Sequence, residues 1–113
     1  MNYTKEDIAK KFDTLPSSLK KFITEFNMSE LIKKFQSKYN LHIDQVGVLA
    51  LEINAVITGL VPSSQFNKNI TTKLGISEDL ANLITYDLNQ EIFSQIRKEL
   101  EKIAVPEEVR PEP

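Results

Sequence analysis

The feature that most limits what this chain can fold into is the spacing of its apolar residues. They recur every three or four positions almost throughout, and no stretch alternates apolar and polar residues long enough to make a strand. That spacing predicts an all-α protein, a single compact bundle of about six helices around a central apolar helix at about 44–59. With 113 residues, 41% of them hydrophobic, the chain is long enough for one core without staples. The helical domain is predicted to occupy residues 1–103, and the composition then shifts to a Pro/Glu-rich segment, 104–113, read as an extended tail or linker.

Start and stop signals divide the helical pattern. Thr4 with Asp7 three residues later is a capping box, opening a helix that shows Ile8 and Phe12 one turn apart. Pro16 suits the first turn of a second helix, with the stripe Leu19, Phe22, Ile23 and Phe26. Asn27 with Glu30 opens a third, presenting Leu31, Ile32, Phe35 and Tyr39, and Asn40 is placed to end it in a left-handed conformation. Asp44 is the expected N-cap of the fourth helix, with Ile43 and Val48 at the spacing of a hydrophobic staple.

The fourth helix carries Val46, Leu49, Ala50, Ile53, Val56, Ile57 and Leu60 on its main stripe. Val48, Leu51 and Ala55 make the other side largely apolar as well, so other helices are expected all round it. Gly47 lowers helix propensity, and close packing of a neighbour against its bare backbone is the expected compensation. Gly59 is the expected stop. A short fifth helix beginning near Ser63 or Ser64 carries Phe66, Ile70 and Leu74 and ends at Gly75.

Ser77 caps a long sixth helix with apolar residues at 80, 84, 88, 92, 96 and 100. Four residues advance 400°, so this stripe drifts by about 40° per step and about 200° in all. One straight face cannot hold it. Either the helix bends between Asn89 and Gln95, or its halves pack on different neighbours, or its far end meets a partner chain.

Composition removes many chemistries. Without cysteine there is no disulfide framework, thiolate metal site or thiol nucleophile, and one histidine, His42, cannot make a multi-histidine site in a monomer. The serines and acids never stand in a nucleophile-elbow context, and three glycines do not form a phosphate loop. The carboxylate pairs Asp87 with Glu91 and Glu78 with Asp79 lack calcium-loop spacing. The expectation is therefore a non-catalytic protein with no cofactor, no metal site and no small-molecule substrate.

The opening residues Met1 to Asp7 lack the basic and apolar regions of a secretory signal, so a cytoplasmic location is expected. The most apolar stretch, Val46 to Val61, contains Glu52, Asn54 and Thr58 and falls short of the ~20 residues a membrane-spanning helix needs.

Charge is unevenly divided. Residues 1–43 carry +3 and residues 44–113 carry −5, for a total of −2. Lys10, Lys11, Lys20, Lys21, Lys33 and Lys34 lie on three successive helices as a candidate basic surface for nucleic acid or an acidic partner. Leu74-Gly75-Ile76-Ser77 has the outline of a helix-turn-helix, but the helix after it opens with Glu78 and Asp79, which would face phosphates.

Four segments, Leu15-Pro-Ser-Ser-Leu-Lys-Lys-Phe-Ile, Tyr39-Asn-Leu-His-Ile-Asp-Gln-Val-Gly-Val-Leu-Ala, Leu74-Gly-Ile-Ser-Glu and Asp87-Leu-Asn-Gln-Glu-Ile-Phe-Ser-Gln-Ile-Arg, together resemble a recurrent small helical domain. That domain belongs to uncharacterised proteins of ultra-small candidate-phylum bacteria. The likeness covers about residues 13 to 103. The resemblance implies a bacterial docking module and brings no activity with it. In that family a proline often stands near the position held here by Ser94 or Gln95.

The function expected on these grounds is protein–protein docking or self-association, including a homodimer, through Phe93, Ile96 and Leu100 at the far end of the last helix. The alternative is a nucleic-acid-associated protein using the lysines of the first three helices.

Overall fold

The computed structural model describes residues 3–99, and the expected tail and Leu100 lie outside them. Every regular element among those residues is helical: α1 (Lys5–Asp13), α2 (Ser17–Glu25), α3 (Met28–Tyr39), α4 (Ile43–Ile57), α5 (Phe66–Leu74, preceded by a 3₁₀ turn at Ser63–Gln65) and α6 (Glu78–Leu88). A π-turn at Asn89–Phe93 comes directly after α6, and residues 94–99 resume the α-helix. The C-terminal helix therefore runs 22 residues with one wide turn inside it.

Most boundaries follow from local chemistry. Thr4 Oγ1 accepts from the Asp7 amide at 3.2 Å while Asp7 Oδ2 accepts from the Thr4 amide at 2.9 Å, the reciprocal box read from the sequence. Asn27 accepts from the Glu30 amide at 3.1 Å, and Ser77 accepts from the Leu80 amide at 3.1 Å. Asn40 stands at φ 54° and Gly75 at φ 66°, the left-handed conformations that stop α3 and α5.

Helix α4 begins two residues earlier than expected. His42 is its N-cap, and Gln45 Oε1 accepts from the His42 amide at 2.8 Å. Asp44 then falls in the first turn, where its charge still suits the helix dipole. The physical reason is which apolar residue gets buried. Starting at Ile43 puts Leu41 and Val46 at the staple positions, and both join the core, while Ile43 points into solvent at 76% exposure. Gln45 Nε2 also donates to the Leu74 carbonyl at 3.0 Å, satisfying an orphan group at the end of α5.

The core gathers Leu19 of α2, Leu31 and Phe35 of α3, Leu49, Ile53 and Ile57 of α4, Phe66, Ile70 and Leu74 of α5, and Ala81, Ile84 and Leu88 of α6. Two expectations about α4 fail. It is not enclosed on every side, and nothing packs within 4 Å of a side chain built on Gly47, because that part of α4 faces an open groove.

The drifting stripe of the last helix has a local solution. From Leu80 to Ile96 the drift amounts to about 160°, and the extra residue of a π-turn rotates the helix beyond it by about 100° in compensation. Ile84, Leu88, Ile92, Phe93 and Ile96 are consequently all buried. The drift left open a bend, different neighbours for the two halves, or a partner chain; the structure has a π-turn at Asn89–Phe93, and Gln95 Nε2 donates to the Glu91 carbonyl there at 2.8 Å.

Candidate functional site

Three features position polar or exposed chemistry: a carboxylate inside the core, a groove beneath α1, and an ion-pair ladder between α3 and α6. The first was not foreseen. Glu52 projects from the middle of α4 and is fully buried. Lys73 of α5 pairs with its Oε2 at 2.9 Å, and the Tyr3 hydroxyl donates to its Oε1. The Lys73 ammonium also lies 4.2 Å from the centre of the Tyr3 ring, so the three side chains form one cluster. Burial and the hydrogen bond to Glu52 raise the Tyr3 pKa above its ordinary value. Burial lowers that of Lys73, but the hydrogen bonds to Glu52 and Tyr3 outweigh it and leave it raised. One sequence signal pointed here: Glu52 is the only charged residue between Asp44 and Lys68.

The groove lies between α1, Ile23 of α2 and α4, with a volume of about 550 Å³. Ile8, Ala9 and Phe12 form one wall, and Ala50 and Leu51 part of the other. Lys5 and Asp13 also line the groove, Lys20 Nζ lies 6.0 Å from the centre of the Phe12 ring, and Lys11 reaches to within 3.7 Å of a Cβ position at Gly59, beside Thr58 of the lining. Local sequence explains the opening. Gly47 and Ala50 are too small to reach α1, and α1 contributes no fully buried residue.

In the ladder, Lys34 pairs with Glu91, and Lys38 Nζ lies 2.6 Å from Asp87 Oδ2. Equal spacing in opposite sequence directions marks α3 and the C-terminal helix as antiparallel along this seam. The Tyr39 hydroxyl also donates to Asp87. The Lys38 and Tyr39 hydrogen bonds hold the Asp87 carboxyl below its ordinary pKa, burial raises the Tyr39 phenol, and the Asp87 hydrogen bond raises Lys38. Asp87 and Glu91, the carboxylate pair of the C-terminal helix, are each occupied by a lysine.

The expected interaction residues need correction. Phe93 is only 4% exposed and meets Phe66 edge to face at 5.3 Å between ring centres, and Ile96 is 6% exposed. The π-turn rotates both inward, so neither presents a free apolar surface at the far end of the helix. Both still line a second groove of about 410 Å³ with Val56, Leu60, Pro62 and Arg97. Of the candidate basic residues, Lys34 is committed to Glu91, Lys20 lies over the Phe12 ring of the first groove, and Lys11 reaches Gly59, which lines the second. Lys10, Lys21 and Lys33 are exposed. The outward residues at the start of α6 are Glu78, Asp79, Asn82, Leu83 and Tyr86, a face with no cation to meet a phosphate.

Among the described residues no helix is long and apolar enough to cross a membrane, and no group of three or more His, Cys, Asp or Glu is placed to hold a metal ion. No family model matches the chain, and no curated protein or solved structure matches it.

Proposed function

We propose that this protein is a non-catalytic docking module that takes an apolar peptide segment bearing acidic residues into the groove between α1, α2 and α4. The observation that carries this reading is an open apolar groove of about 550 Å³ with Lys5 in its lining and Lys20 over the ring of Phe12 on one wall. Burying the exposed parts of Ile8, Phe12 and Leu51 under a partner's apolar side chains supplies affinity, and the lysines select acids beside them. The resemblance to small bacterial helical domains agrees with a docking role.

The test is selection of peptides from a random display library against the full chain, with counter-selection against Ala50→Glu, which places a carboxylate on the half-buried groove wall. Enriched peptides should pair apolar residues with acids, lose at least tenfold in affinity for Ala50→Glu, and associate more slowly as salt rises. Peptides that bind both chains equally, or no enrichment at all, would overturn the reading. A dimer of the full chain that Ala50→Glu makes monomeric would overturn the peptide assignment and make a second copy the occupant.

A further inference from the structure

The wall of the groove formed by α1 is weakly held. No residue of α1 is fully buried, and a short turn at Thr14 to Pro16 joins its end to α2. Immediately ahead of α1, Tyr3 is engaged on Glu52 and Lys73, two residues of the elements that form the core. The cluster is built so that this engagement can be lost without stranding a charge. Glu52 keeps Lys73 when Tyr3 leaves, and the Lys73 side chain is 28% exposed and keeps contact with water.

We infer that Tyr3, Glu52 and Lys73 form a releasable latch that holds α1 in place as the wall of the groove. As a mechanism regulating peptide docking, it rests on the function proposed above. The latched state has the groove preformed. Release of Tyr3 frees α1 from its N-terminal anchor, and any segment that binds must then re-order that wall, so that apparent affinity is the intrinsic affinity multiplied by the fraction of chains still latched.

The test is Tyr3→Phe in the full chain, read by amide hydrogen exchange. This substitution keeps the ring over Lys73 and removes only the hydroxyl that reaches Glu52. Amides within α1 should exchange about tenfold faster, the factor for losing one hydrogen bond to a charged acceptor. Those of Leu49, Ile53 and Ile84 should remain far better protected than α1 in both chains and show the steeper urea dependence, because α1 opens without them. In a Glu52→Leu background, Tyr3→Phe should have no further effect on α1. Exchange of α1 with the same protection and the same urea dependence as the core would mean that it opens only in global unfolding and would overturn the latch, as would unchanged exchange in α1. A peptide selected as above should bind Tyr3→Phe up to tenfold more weakly. Selective loosening of α1 in a chain that takes no peptide would uphold the latch and overturn the docking function alone.

Discussion

Glu52 is the residue on which local and global requirements conflict most. A carboxylate in the middle of the central helix costs free energy to desolvate, and only Lys73 and Tyr3 offset that cost. The two halves of the pair are unequal, because Lys73 can swing into water and Glu52 cannot. Lys73→Met should therefore cost about 3 kcal/mol in urea unfolding, the penalty for leaving a buried charge without its partner, whereas Glu52→Leu should stay within about 1 kcal/mol of the parent. Equal costs would refute the asymmetry. Tyr3 and Lys73 both have raised pKa values, so their contribution is complete below the unfolded-state values of about 10 and is lost as pH rises through the folded ones. Stability should accordingly fall less steeply above pH 10 in Lys73→Met than in the parent, and parallel curves would remove Lys73 from the alkaline response.

At the level of the element, the C-terminal helix shows how one wide turn reconciles a four-residue repeat with a 3.6-residue helix. Removing the exposed Gln90 should convert the π-turn to an α-turn and leave residues 94–99 facing as they do in the parent, because it takes out the one extra residue that the wide turn accommodates. The melting temperature should therefore stay within about 5 °C of the parent. A loss of about 2 kcal/mol or more, the transfer free energy of one isoleucine side chain, would mean that Ile96 has left the core and that the wide turn is not what keeps it there. Phe93 belongs to the same argument. With its ring against Phe66, Phe93→Ala should lower stability by about 3 to 5 kcal/mol instead of merely abolishing an association. The repeat and its drift were legible in the sequence, but whether the helix would break, divide its neighbours or meet a partner chain was not. Nor was the direction in which the turn would send Phe93, since that depends on where Phe66 stands.

Across the whole molecule, the ladder from Lys34 and Lys38 to Glu91 and Asp87 joins the first half of the chain, net +3, to the second, net −5. These groups are partly exposed, so solvent screening keeps each pair weak. Asp87 has a lowered pKa in the folded state, so its contribution is present above the unfolded value of 3.8 and is lost as pH falls through the folded one. Urea midpoints measured down to pH 2 should fall less steeply in Asp87→Asn than in the parent. Parallel curves would remove Asp87 from the acid response.

The sequence alone determined the helical class, the number of helices and the caps at Thr4, Asn27, Asn40, Gly75 and Ser77, because these depend on residues within three or four positions of one another, such as Thr4 with Asp7 and Ser77 with Leu80. It also carried the charge asymmetry that the ladder uses. Only the tertiary structure decided that α4 starts at Ile43, since burial of Leu41 outweighs the better capping residue. The same holds for the open groove at Gly47, the Tyr3–Glu52–Lys73 cluster and the inward turn of Phe93. Each joins residues from 21 to 49 positions apart or depends on what fails to reach a surface, and no local pattern encodes such distances.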